Sequence, residues 1–188
     1  MPVTLVEPRD HAWVYVDGRR VGSCGRSVPP PTLQVPLPEQ GGTLDILVEN
    51  RGRSNFFWRM EDNRKGLTRG VVLNQQQFQH GWEMYCLPLT DLRPLVYQPP
   101  GASCAYPAFF SAALQVDEPH DTFLRVTPGC RGVCWINGFN LGRYDNQGPQ
   151  FTLYVPAPLL RHGENRLEVL ELERFGDLHV DWLERPEW

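Results

Sequence analysis

Acid–base catalysis needs two carboxyl groups a few ångströms apart, one of them with a raised pKa. Glu168, Glu171 and Glu173 share one strand-like segment, and Asp117, Glu118 and Asp121 flank Pro119 in a turn. The three glutamates alternate with apolar residues, so they read as the solvated face of a strand rather than a catalytic pair. No catalytic residue is expected here. A different chemistry, gripping a ligand with C–H faces and hydroxyls, needs flat aromatic rings beside planar polar side chains. Trp58, Trp82, Trp135, Tyr144, Asn137, Asn140 and Arg143 are the candidates. Trp135 has apolar neighbours and reads as core. Arg143 and Tyr144 follow a turn, where they are either ligand contacts or the anchors of a hairpin. Asn55, Phe56, Phe57 and Trp58 put three adjacent aromatics on a polar loop, a contact surface for a partner or a ligand.

Metal chemistry has little support. The five histidines show no ligand spacing, and Asp62-Asn63 and Asp145-Asn146 are the only turns suited to calcium. Neither a metal nor a cofactor is expected. Five cysteines include no C-x-x-C pair. Cys130 and Cys134 would sit roughly 13 Å apart along a strand, beyond disulfide reach. Reduced, buried cysteines are the expectation.

These residues hang on hairpins. Val133 to Ile136 and Phe139 to Leu141 are apolar runs joined by Asn137-Gly138. Asn-Gly between such runs signals a type I′ turn, which needs φ > 0 at both central residues. Trp13 to Val16, Asp17-Gly18 and Arg19 to Gly22 repeat the pattern 120 positions earlier, and Leu44 to Leu47 resembles Leu167 to Leu170 at an offset of 123. Two pairs at a nearly constant offset indicate a duplicated β module, with too few copies for a solenoid.

Further strands are expected at Val3 to Val6, Leu33 to Leu37, Thr43 to Glu49, Gly70 to Leu73, Trp82 to Leu87, Ala108 to Val116, Thr122 to Val126, Phe151 to Val155, Arg166 to Leu172 and His179 to Leu183. Thr90 to Leu95 and Pro156 to Leu160 read as single helical turns. Strands every 8–12 residues with almost no helix predict an all-β chain built as two jelly-roll or β-sandwich modules. The expected boundaries are 1–95 for the first module, 96–107 for a Pro-rich linker and 108–188 for the second. A net charge of −4 argues against a general nucleic-acid binder. No apolar run reaches the ~20 residues that span a bilayer, so no membrane partner is expected. The start, Met1-Pro2-Val3, lacks the basic and apolar regions of a signal peptide, which points to a cytoplasmic location.

W-I-N-G-F-N-L-G-R-Y (Trp135 to Tyr144) followed by G-P-Q-F-T-L-Y-V-P (Gly148 to Pro156) resembles the C-terminal β-domains of glycoside hydrolase family 35 β-galactosidases. V-E-N-R-G-R-S-N (Val48 to Asn55), R-K-G-L (Arg64 to Leu67), P-A-F-F (Pro107 to Phe110), D-T-F-L (Asp121 to Leu124) and V-L-E-L-E (Val169 to Glu173) resemble the same family in the same order. The resemblance implies galactose-binding-like β-domains that follow a (β/α)₈ barrel, whose two glutamates cleave terminal β-galactosides with retention. A barrel of that kind takes about 250 residues and alternating helices, so this chain does not hold it. The resemblance therefore implies a non-catalytic region that supports a barrel on the same or a separate chain, shapes its rim and helps the enzyme oligomerise. The alternative is a free-standing lectin-like domain that binds galactose through Trp58, Asn140, Arg143 and Tyr144. Phe56-Phe57 stand where the family commonly has Tyr-Gly, Arg143-Tyr144-Asp145 where it has R-Y-W, and Gly129-Cys130 where it has G-W.

The repeat also predicts an asymmetry. Ala108 to Val116 and Thr122 to Val126 both precede the second hairpin, whereas only Val3 to Val6 precedes the first. The first module is expected to lack an opening strand, leaving Ala12 to Val16 as an open edge. The strand that would close it is expected from a preceding domain or a second copy of the chain.

Overall fold

A computed structural model describes residues 1–53, 55–56, 60–99, 106–148, 151–173 and 178–187. The described residues form strands and turns with no α-helix. The chain divides into two compact units, Met1–Tyr85 and Cys86–Trp188.

The first unit contains β1 (Pro2–Leu5), β2 (Pro8–Arg9), β3 (His11–Val16), β4 (Arg19–Gly25), β5 (Thr32–Gln34), β6 (Leu44–Glu49), β7 (Gly66–Leu67), β8 (Val71–Leu73) and β9 (Gln77–Phe78). They form an antiparallel sheet of order β5-β1-β8-β9, a second of order β4-β3-β6, and the short pair β2-β7. Val3 and Leu5 of β1 pack with Ala12, Val14 and Val16 of β3 in one buried cluster. The alternation of these residues puts one face of each sheet inward, as a sandwich requires. Asp17 and Gly18 take φ of 47° and 74°, the geometry expected of the β3–β4 turn.

The second unit contains β10 (Ala108–Val116), β11 (Thr122–Thr127), β12 (Arg131–Ile136), β13 (Phe139–Asp145), β14 (Leu153–Val155), β15 (Gly163–Glu171) and β16 (His179–Leu183). Their orders are β10-β15-β12-β13 and β14-β11-β16. Leu124, Val126, Ile136, Val155, Leu167 and Val169 join in its core. Asn137 and Gly138 again have positive φ, at 50° and 81°. A 3₁₀ turn covers Ala157–Leu159, inside the helical turn expected there.

Three expectations need correction. Trp82 to Leu87 has no strand partner among the described residues, and Met84 and Tyr85 are 89% and 80% exposed. The strand carrying Ala12 to Val16 is not an edge, because β3 lies between β4 and β6. Not all cysteines are buried: Cys86 is exposed, Cys24 and Cys130 are half-buried and Cys134 is buried, while Cys104 lies outside the described residues.

Candidate interaction surface

In the first unit the long loop from Asn50 to Lys65 is tied down at both ends. Asp10, just after β2, accepts from the Arg51 backbone N–H at 2.8 Å and from Lys65 Nζ at 2.6 Å. Arg9 is 5% exposed, and its Nη1 donates to the Asp62 carbonyl at 2.9 Å. Its Nη2 donates to Asp62 Oδ2 at 2.9 Å, and its Nε to Glu7 Oε1 at 3.2 Å. Arg64 Nε also reaches Asp62 Oδ1, at 2.8 Å, and Arg69 Nε reaches Glu7 Oε2 at 3.1 Å. A planar guanidinium with several fixed donors suits this convergence of two carboxylates and a carbonyl better than an ammonium would. Between these anchors Phe56 is 78% exposed. Asn55 beside it is exposed, while Phe57 and Trp58 lie outside the described residues.

The hydrogen bond from Arg9 is the main cause holding Glu7 below its usual carboxylate range, and that from Arg64, then Arg9, holds Asp62 well below it. Carboxylates with depressed folded pKa values contribute stability that is present above their unfolded values and is lost as pH falls. Those unfolded values are about 4. The thermal midpoint of the chain is therefore expected to drop as pH falls below about 4. Arg9→Met should flatten that part of the curve. Parallel curves for the two proteins would show that the clamp carries no pH dependence.

In the second unit the residues expected to touch ligand are mostly engaged elsewhere. Tyr144 is 5% exposed, and its hydroxyl donates to Glu171 Oε2 at 2.9 Å. Burial, with the neighbouring Glu171 charge, pushes that hydroxyl far up, so it stays a donor. It is thus placed as the hairpin anchor rather than at the surface. Asn140 is exposed, but its Oδ1 accepts the Gly142 N–H at 2.8 Å within the turn. Arg143 is exposed on β13. Asn137 bridges backbone, donating to the Leu159 carbonyl and accepting from the Arg166 N–H. Trp135 is buried. Trp82 remains partly exposed, its Nε1 bonded to the Gln79 carbonyl. Trp58 lies outside the described residues. Within the second unit these side chains form no shared ligand surface, since Trp135 and Tyr144 are buried and Asn137 and Asn140 are tied to backbone.

The glutamates of β15 also depart from expectation. Glu168 and Glu171 are buried, not solvated, since the strand is covered on both faces. Each is compensated, as a buried charge must be. Glu171 accepts from the backbone N–H groups of Cys130, Arg131 and Glu173 as well as from Tyr144. Glu168 accepts from Tyr97 at 3.1 Å and pairs with Arg166 at 3.0 Å. Asp121 accepts from Tyr154 and from the Ala157 N–H that opens the 3₁₀ turn. These carboxylates hold structure. Asp62, in one of the two turns suited to calcium, spends its carboxylate on guanidiniums, and Asp145, in the other, meets Arg131 Nε at 3.3 Å.

Sequence reasoning missed two features. Arg9 carried no motif, and only its place just before the polar loop's anchor Asp10 hinted at a role. The exposed run Trp82, Met84, Tyr85 and Leu87 passed for a strand because its apolar residues are closely spaced.

Known proteins have similar sequences. The family model of the β-galactosidase first all-beta domain matches residues 2–88, and that of the β-galactosidase galactose-binding domain matches residues 107–165. A β-galactosidase of Xanthomonas manihotis is 42% identical over 157 residues, which cover 82% of this chain and 25% of the relative. Beta-galactosidase-1-like protein 2 of Homo sapiens is 40% identical over 148 residues, 74% of this chain and 23% of that protein. A β-galactosidase of Felis catus is 34% identical over 200 residues, 92% of this chain and 29% of that protein. The chain spans about a quarter of the length of these relatives.

Proposed function

The chain belongs to the β-galactosidase family, and we propose that it acts as the non-catalytic β-sandwich region of such an enzyme. In this reading it supports a catalytic barrel outside these 188 residues, on the same or a separate chain, and contributes to oligomerisation. The observation that carries it is the clamped loop. A buried guanidinium fixes the base of a long polar loop, and the loop presents Phe56 to solvent. Fixing the base of a loop that exposes an aromatic side chain lowers the ordering cost of docking that side chain. Met84, Tyr85 and Leu87 add exposed apolar surface of the kind that marks protein contacts.

The partner in this reading is the barrel, and the substrates of the whole enzyme would be terminal β-galactosides. The purified chain is expected to show no turnover of a nitrophenyl β-galactoside and to co-elute with the portion of the bacterial relative that it does not match. Phe56→Asp with Tyr85→Asp should weaken that co-elution at least tenfold. Turnover by the chain alone, lost on replacing one of its own carboxylates, would refute the reading. Calorimetric binding of galactose or lactose at millimolar or better, abolished by Trp58→Ala, would favour a free-standing lectin instead.

A further inference from the structure

The two units share a six-strand plan, and β2, β7 and β9 are additions peculiar to the first unit. The order β5-β1-β8 matches β14-β11-β16, and β4-β3-β6 matches β13-β12-β15. The correspondence extends to individual bonds. The Asp17 N–H donates to the Thr43 carbonyl at 3.0 Å, and the Asn137 N–H to the Arg166 carbonyl at 2.8 Å. The register shift in each hairpin falls at the same place, between Val14 and Tyr15 and between Cys134 and Trp135. Among the strands of the second unit, β10 alone has no counterpart in the first. It pairs with β15 from Ala108↔Glu171 to Val116↔Gly163.

The phase of pairing identifies what this leaves open. In an antiparallel ladder each residue turns both its N–H and its C=O to the same neighbour, and the next residue turns them to the other side. The Asp17–Thr43 bond and the β3–β6 register therefore aim Thr43, Asp45 and Leu47 at β3. Leu44, Ile46 and Val48 aim theirs away from it. No described residue bonds those backbone groups. Their equivalents in the second unit, Leu167, Val169 and Glu171, face β10 and are buried. The side chains of Leu44, Ile46 and Val48 are only partly buried against their core. Phe110 and Leu114 of β10 flank the matching core.

We propose that the Leu44–Val48 edge of β6 receives one further antiparallel strand, in the place that β10 holds along β15, from the part of a β-galactosidase polypeptide outside these 188 residues. The proposal rests on the function proposed above. The strand needs at least five residues, with apolar side chains at alternate positions to cover Leu44, Ile46 and Val48. Up to six backbone hydrogen bonds would form, two at each of these residues. The relatives are about four times longer than the stretch this chain matches, so polypeptide that could supply a strand exists in them. A second copy of this chain fits less well. Pairing β6 with itself about Ile46 would set the two Asp45 carboxylates diagonally across the ladder on one face, a like-charge contact.

Amide hydrogen exchange on the full chain, alone and mixed with the portion of the bacterial relative it does not match, tests this. Alone, Leu44, Ile46 and Val48 should exchange at least a hundredfold faster than Asp45 and Leu47. In the complex they should slow at least a hundredfold. Ile46→Pro removes one outward N–H and leaves the β3 ladder intact, as proline is tolerated on an edge. It should abolish the slowing at Leu44 and Val48; if that variant does not fold, the wild-type rates decide. Slow exchange in the free monomer, slow exchange that grows with concentration, or fast exchange within a formed complex would each overturn the proposal. Absence of any complex would instead sink the functional reading on which it rests.

Discussion

Gly132→Ala is expected to prevent the second unit from folding. A Cβ at Gly132 would lie 1.8 Å from the Leu170 carbonyl oxygen and 2.6 Å from the Tyr144 hydroxyl. The first is backbone of β15, paired directly to β12, and cannot swing aside as a flexible side chain would. Relief would require parting the two central strands of the sheet. Such a disruption costs more than about 4 kcal/mol, a large share of the roughly 5–15 kcal/mol that keeps a domain folded. The glycine is there for space and not for φ. Gly138 is the opposite case: nothing lies within 4 Å of its Cβ position, but its φ is +81°. Gly138→Ala should therefore cost only about 1 kcal/mol. Amide exchange across β12 and β15 should be lost in the first variant and kept in the second. Native-like protection in Gly132→Ala would show that the strands can part without penalty.

That close approach explains why Tyr144 was hard to place from sequence. Turn chemistry made the hairpin legible, because Asn137-Gly138 and Asp17-Gly18 both demand positive φ, and both adopt it. Alternation located β6, and His179–Leu183 forms as expected. Whether Tyr144 points out or in depends on the room left by Gly129 and Gly132, 15 and 12 residues earlier, which no local pattern encodes. The same limit applies to Glu168 and Glu171. Alternating polarity normally marks one wet face, but β15 is covered on both faces and each carboxylate has its own donors. Trp82 to Leu87 failed for the converse reason: a strand-like composition supplies no partner, and no described strand pairs with it. The family resemblance rested on motif order, which the two matching domain models follow along the chain. It said nothing of Arg9, whose role depends on contacts with Asp62, 53 residues away.

Arg9→Met is expected to destabilise the first unit by about 2 kcal/mol and to release the loop of residues 50–65. The substitution keeps much of the side-chain volume but removes every donor. Glu7 and Asp62 would then face each other across the vacated site, and the Asp62 carbonyl would lose its partner. Asp62 would keep Arg64 and Glu7 would keep Arg69, so the loss is that of the buried donors Arg9 brings to both carboxylates and to the Asp62 carbonyl. Arg9→Lys separates charge from geometry. An ammonium restores the positive charge but lacks the planar fork that serves Glu7 Oε1, Asp62 Oδ2 and the Asp62 carbonyl together. It should recover roughly half the lost stability while leaving the loop loose. Denaturant melts give the first number, and tryptic cleavage at Arg51, Arg53 or Arg64 under native conditions reads the second. Both variants should also weaken the proposed co-elution with the unmatched portion of the bacterial relative, since Phe56 would no longer be presented on a fixed base. If Arg9→Met loosens the loop yet leaves that association unchanged, the clamp serves folding alone, and the docking surface lies with Met84, Tyr85 and Leu87.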